Sequence, residues 1–250
     1  MEKLQLSVAI ITKNEEENLK KLLPVLYSFV SQIVIVDCGS TDKTIEVSHQ
    51  FEADVIQQKW LGFAKQKNFA LENCKYDWLL LLDADEIPDE NMIGDIRKVI
   101  LNNKYGAYYL KRYTFYLGKV LNYAWQPDKQ LRMVHRSSNP EWMGGVVHEY
   151  LSANGDRGTL NGKLIHYSYK NIFHHYEKTI YYASLGADKY FSSGRKANII
   201  NLIINPLFAF INMYVIRLGI LDGWRGLIAS FSSMTGTFLK YSMLMERIHK

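Results

Sequence analysis

The sequence predicts an α/β fold: a sheet flanked by helices, continued by a helical C-terminal region. Short apolar runs rich in β-branched residues alternate with helix-length amphipathic segments through residues 1–100, the pattern of a parallel sheet covered by helices. Each run ends in a polar tip, and ligands of open α/β sheets gather outside the carboxyl ends of the strands. From Asn171 onward the pattern is helical.

The elements follow in order. "LSVAII" (6–11) is the first strand, with "EEENLKKLLPVLYSF" as the helix behind it. "QIVIVD" (32–37) is the second strand, and Ser40 or Asp42 can cap the helix after it. "ADVIQ" is a short third strand, "GFAKQKNFALENC" a helix after Gly62, and "WLLLLD" (78–83) the fourth strand. A helix over "PDENMIGDIRKVILNN" closes this half, with Pro88 near its start. "GAYYLKRYTFYLGKVL", "KQLRMVHR" and "GKLIHYSY" (162–169), rich in Tyr, Phe and Val, read as strands.

With 250 residues and 48% hydrophobic content, the chain can bury one large core, or one core with an appended helical part. Cys38 and Cys74 make neither a disulfide framework nor zinc-binding pairs, which points to a reducing cytoplasmic compartment. The first apolar stretch is too short for a signal peptide and lacks a small-residue cleavage site.

A net charge of +5 hides an asymmetry. Residues 151–250 hold twelve Lys and Arg against five Asp and Glu, whereas the first 150 hold eighteen against twenty. The basic part also carries the longest apolar runs, which suits an anionic membrane surface better than nucleic acid. In "NIINLIINPLFAFINMYVIRLGIL", Asn198, Asn201, Asn205 and Asn212 fall on one side of a helix. These Asn residues and Arg217 count against a membrane span, which needs about 20 largely apolar residues. Three readings stay open: a helix lying in the membrane interface, a helix packing onto partner subunits in a homo-oligomer, and an internal helix with a polar seam.

Five acids, Asp83, Asp85, Glu86, Asp89 and Glu90, follow a run of four leucines. Desolvated carboxylates need positive partners, so either a metal ion or a salt-bridge network must meet them. Asp83 and Asp85 form a D-x-D, and alternate residues of an extended segment point the same way. A divalent cation bridging a pyrophosphate needs few protein carboxylates, because phosphate oxygens and waters complete its shell. Taken alone, D-x-D also occurs on solvated loops.

The motifs "AIITKNEEENL", "VIVDCGSTDKT", "QKNFAL" and "WLLLLDADE", in this order, resemble the donor-binding half of a family 2 glycosyltransferase with the GT-A fold. "PDKQLRMVHR", "WMGGVVHEYL" and "GKLIHYSY" resemble the branch that includes lipopolysaccharide-core glucosyltransferases of the bacterial cytoplasm. The resemblance implies a Rossmann-like mixed sheet over residues 1–170, with 1–100 binding the nucleotide sugar and 101–170 the acceptor, and a helical region over 171–250. It implies that Thr12 and Glu15 line the nucleoside pocket, and that Asp37 takes a hydrogen bond from the base. A cap for the helix beginning near Thr41 is the competing role for Asp37. Lys67 would reach the diphosphate or the base. Asp83 would bind the ribose or water around an ion, and Asp85 the Mn²⁺ or Mg²⁺ ion itself.

An inverting transfer also needs a base across the sugar from the metal. Glu149 in "GGVVHEYL" is the candidate, with Asp128 as runner-up; the competing role for Glu149 is a salt bridge to Arg132 or Arg136. His148 and His166 could ligate the ion, contact the diphosphate or orient Glu149, although a structural role competes for both. Gln130 and Arg132 would bind phosphates or acceptor.

The expected activity is metal-dependent transfer of a hexose, with UDP-glucose the favoured donor. The expected acceptor is a membrane-linked glycan such as lipopolysaccharide core, at the inner face of the bacterial cytoplasmic membrane. No nucleic-acid partner is expected. An aspartyl-nucleophile phosphohydrolase fits poorly, since the D-x-D follows the fourth strand. A non-catalytic sugar-nucleotide-binding scaffold stays open. A dinucleotide-binding domain is disfavoured, because "TKNEEEN" replaces the Gly-rich turn after the first strand.

Overall fold

The computed structural model describes residues 2–102, 104–144 and 149–249. The chain divides into two compact units, Met1–Arg112 with Lys129–His166, and Tyr113–Asp128 with Tyr167–Lys250. This division departs from the expected boundary at residue 170. Residues 113–128 belong with the C-terminal helices because Tyr116, Leu121 and Ala124 share a core with Met213 and Ala229.

In chain order the first half comprises β1 (Leu4–Thr12), α1 (Glu16–Tyr27), β2 (Val30–Asp37), α2 (Thr44–Gln50) and β3 (Asp54–Gln57). It continues with α3 (Phe63–Glu72), β4 (Trp78–Leu81), β5 (Glu86–Pro88) and α4 (Glu90–Asn102). Then come β6 (Ala107–Tyr116), β7 (Lys119–Val120), β8 (Lys129–His135), β9 (Glu141–Met143), β10 (Tyr150–Ser152) and β11 (Arg157–His166). The main sheet runs β3-β2-β1-β4-β8-β6-β11-β5, and β9 pairs with β10 separately. β1 lies parallel to β2 and β4, whereas β8 pairs antiparallel with both β4 and β6.

Period-two alternation explains the core of this unit. Val8, Ile10, Ile33, Ile35, Leu80 and Leu82 join one cluster with buried leucines of α1 and with Met92, Ile96 and Val99 of α4. Ala9, Val34, Val36, Leu79 and Leu81 join another with Ala70 and Leu71 of α3. A strand buried on both faces reads as an unbroken apolar run, which accounts for the four leucines. Pro88, expected near a helix start, instead ends the short strand β5, which pairs antiparallel with β11. A Cβ at Gly162 would lie 2.1 Å from the Met92 nitrogen, so only glycine lets α4 rest on β11.

In the second unit, α7 (Trp224–His249) packs against both α5 (Ile172–Ser192) and α6 (Ile199–Ile211). The expected asparagine stripe is shorter than the spacing suggests. Asn198 is the N-cap of α6 and exchanges hydrogen bonds with Asn201, while Asn212 opens a π-type turn, Asn212–Ile216, beyond the helix. The stretch Ile199–Ile216 is long and apolar enough to cross a membrane by length and composition. Asp222, 6% exposed, accepts hydrogen bonds from the backbone N–H groups of Asn122, Tyr123 and Ala124 at 2.8–3.0 Å. In this way one carboxylate fixes the turn after β7 against the start of α7.

His175, 1% exposed, lies among Tyr116, Trp125 and Tyr169. Its ring nitrogens meet Tyr116 Oη at 2.7 Å and Ser232 Oγ at 2.8 Å. Burial, with a smaller contribution from His174, pushes its pKa down to about 4. As pH falls below the ordinary histidine value near 6.5, the unfolded chain takes up a proton that the folded chain refuses. Stability is therefore fully present above that value and is lost as pH falls towards 4, by at most about 3 kcal/mol. Thermal melts between pH 7 and 4.5 should show this loss, and His175→Gln should flatten it.

Candidate active site

The register of the parallel strands brings the polar tips together. Thr12 pairs with Asp37, and Asp37 with Gln57, across β1, β2 and β3. Asp37 is fully buried, and its Oδ1 accepts the Gly39 and Ser40 amides at 2.9 Å. Its Oδ2 accepts the hydroxyls of Ser40 and of Thr12, the latter at 3.1 Å. Asp37 thus braces the 38–40 turn rather than capping α2, and the Thr44 amide at the start of α2 donates to Asp42 at 3.0 Å. Glu15 accepts from Asn18 Nδ2 at 2.7 Å, and its own amide donates to Thr44 Oγ1 at 2.8 Å.

Four of the acids after β4 have distinct sets of partners, with Arg132 shared by Asp83 and Glu86. Asp83 receives Lys67 Nζ at 2.8 Å on Oδ1 and Arg132 Nη2 at 2.7 Å on Oδ2. Burial alone would raise the Asp83 pKa, but the Arg132 and Lys67 charges outweigh it and hold the carboxyl well below the usual range. Asp85 Oδ2 lies 3.2 Å from His166 Nε2. Glu86 is fully buried and takes Arg112 at 2.9 Å and Arg132 at 3.2 Å. Asp89 Oδ1 accepts the Met92 amide in the first turn of α4 at 2.7 Å and the Lys163 amide at 2.9 Å.

Lys67 also reaches Glu149 Oε1 at 3.3 Å, so three carboxylates and three cations interlock around Asp83. The indole of Trp142 lies against this cluster, 4.3 Å from Lys67 Nζ and 5.3 Å from the Arg132 guanidinium carbon. Beside it opens a cavity of about 520 Å³ lined by Asp83, Glu149, Arg132, Trp142, Gln130 and Arg157, among others. Among the described residues, Arg132 Nε is buried without an acceptor.

Of the metal donors expected from sequence, the structure brings Asp85 and His166 together. Asp83 has both oxygens on cations, which makes it a partner of Lys67 and Arg132 rather than a ligand in this arrangement. No group of three or more His, Cys, Asp or Glu that could hold a metal occurs among the described residues. One carboxylate and one imidazole nevertheless suit an ion whose remaining ligands are phosphate oxygens and water. His148 lies outside the described residues. Glu149 pairs with Lys67 rather than with Arg132 or Arg136; Arg136 donates to the Cys74 carbonyl at 2.6 Å. Asp128 belongs to the second unit, where its amide donates to Gln126 Oε1 at 3.0 Å. The sequence reading named Glu86 only as one of the strand-tip acids and missed Arg112. The only signal was Glu86 adjoining the D-x-D, because its cationic partners lie 26 and 46 residues away.

A mixed sheet with a D-x-D at the central strand tip defines a GT-A glycosyltransferase fold, and similarity to known proteins agrees. Mannosyltransferase PcManGT of Pyrobaculum calidifontis, solved with GDP-Man and Mn²⁺, superposes with a TM-score of 0.57 at 13% identity, covering all of this chain and 89% of that one. The Glycosyl transferase family 2 model matches residues 7–152, and the chain belongs to that family. The lipopolysaccharide core biosynthesis glycosyltransferase LpsC of Rhizobium meliloti is 30% identical over 98% of this chain and 93% of its own. An uncharacterised glycosyltransferase of Rickettsia typhi is 28% identical over 97% and 87%. The protein is therefore a glycosyltransferase.

Glu86→Gln removes the buried carboxylate that Arg112 and Arg132 share. Urea unfolding should show a loss of about 3–5 kcal/mol; a change below about 1 kcal/mol would show that the cluster does not brace the fold.

Proposed function

We propose that this chain is an inverting transferase that moves a hexose, with UDP-glucose the first donor to test, onto a lipopolysaccharide-core type of glycan. The carrying observation is the convergence of Asp83 and Asp85, Lys67, and Glu149 from three separate segments on one end of the sheet, where Asp83 and Glu149 line the cavity. The likeness to LpsC over nearly the whole chain supports the acceptor class.

Thr12, Glu15 and Asp37 form the wall for the nucleoside. Asp37 orders the 38–40 turn that a base would rest against. Lys67 and Arg132 hold Asp83 fixed, so its carboxylate meets the ribose without reorganising. Asp85 and His166 would hold Mn²⁺ or Mg²⁺, whose charge offsets that developing on the departing diphosphate. Glu149, about one-fifth exposed at the cavity wall, takes the proton from the acceptor hydroxyl as that oxygen attacks the anomeric carbon. Trp142 offers an aromatic face and keeps water from the ion pairs behind it.

The same reading places the chain at the inner face of the cytoplasmic membrane, with the second unit in contact with lipid. Ile199, Ile203, Leu207, Phe208, Ile211 and Ile216 are each about half exposed or more. An apolar surface of this size needs a cover, and the nearby Arg217 and Arg225 suit anionic headgroups.

UDP release should follow incubation with UDP-glucose, Mn²⁺ and membrane acceptor; no release from any nucleotide sugar would overturn the reading. Asp85→Asn should remove the dependence of rate on added Mn²⁺. Glu149→Gln should slow transfer by about 10²–10⁴-fold, and full activity in that variant would dismiss it as the base. In flotation assays the protein should rise with vesicles containing phosphatidylglycerol and less with pure phosphatidylcholine. Failure to float with either would remove the membrane placement.

A further inference from the structure

The cavity wall carries more positive charge than its carboxylates balance. Lys67, Arg112 and Arg132 are matched by Asp83, Glu86 and Glu149. Arg157 and Lys129 line the same cavity, and among the described residues neither forms an ion pair with a carboxylate. Arg157 is also held in position. It donates to Tyr109 Oη at 2.9 Å and to the Ala153 carbonyl at 3.0 Å, with its guanidinium carbon 5.9 Å from the Tyr109 ring centre. A guanidinium has five donors, so three remain for a ligand. Because its rotamers are already restricted, binding costs less side-chain entropy than it would at a loose surface arginine.

The donor diphosphate does not account for this charge. Arg157 opens β11 and His166 closes it, so the two backbone positions stand about 30 Å apart along the strand. A diphosphate held at Asp85 and His166 is far too short to bridge that span. Glu149 and Tyr150 line the cavity together with Arg157. A glycan with its reacting hydroxyl at Glu149 therefore directs a neighbouring sugar towards the guanidinium.

We propose that Arg157, assisted by Lys129, recognises a negatively charged group on the acceptor glycan, a phosphate ester or a sugar carboxylate, next to the sugar that receives the hexose. This rests on the transferase reading above and adds the chemical class of acceptor. A planar guanidinium matches both anions by paired N–H···O contacts.

The test measures binding to the full chain in the presence of UDP and Mn²⁺, with glucose 6-phosphate, glucuronate and methyl glucoside as probes, by calorimetry or ligand-detected NMR. The anionic sugars should bind about tenfold or more tightly than methyl glucoside, as expected for a charge-assisted contact, with the difference shrinking in high salt. Arg157→Gln should erase most of the preference and Lys129→Gln part of it, while UDP affinity is kept. Equal binding of charged and neutral sugars, or a preference that survives in the double variant, would overturn the assignment. So would a fall in UDP affinity in Arg157→Gln, which would give the guanidinium to the donor. Failure of the unaltered protein to bind UDP would overturn the nucleotide-sugar reading itself. The two failures are thereby distinguished.

Discussion

Asp83 sits where a strand buried on both faces leaves the core, and its charge is stable there only because Lys67 and Arg132 meet it. The two cations come from different elements, Lys67 from α3 and Arg132 from β8, and Lys67 also takes Glu149 from just before β10. Balancing charge at the tip of β4 thus fixes how α3, β8 and the 149–151 segment approach one another. The cavity is the space left once they have done so.

Glu86 extends the same constraint. It has no solvent contact, joins Arg112 of β6 to Arg132 of β8, and lies in register with His166 of β11. The antiparallel pairing of β5 with β11 sets the D-x-D beside an imidazole, so Asp85 and His166 meet although 81 residues separate them in the sequence. Division of labour among the acids follows from these positions. Asp83 is locked by cations, Glu86 is structural, Asp89 orders the start of α4, and Asp85 faces an imidazole with a donor set that suits a metal.

The second unit depends on a different device. Backbone amides of the 122–124 turn converge on Asp222, and a neutral imidazole, His175, links Tyr116 to Ser232. Both are buried polar groups with their hydrogen bonds satisfied, the condition under which such groups specify a unique packing. Ile199, Ile203, Leu207, Phe208 and Ile211 of α6 are exposed apolar side chains.

The order of strands and helices over the first hundred residues was legible in the sequence because local periodicity alone reports it: a run buried on both faces is apolar throughout, and a helix shows one apolar stripe. The strand ends at Thr12 and Asp37 were legible for the same reason, since strand ends are set by neighbours in the chain. The tertiary structure alone decided which charges pair. Glu86 with Arg112 and Arg132, Asp83 with Lys67, and the transfer of residues 113–128 to the helical unit all join segments tens of residues apart. Coulombic partnership depends on distance in space, and one sequence carries no record of which distant cation a carboxylate will meet.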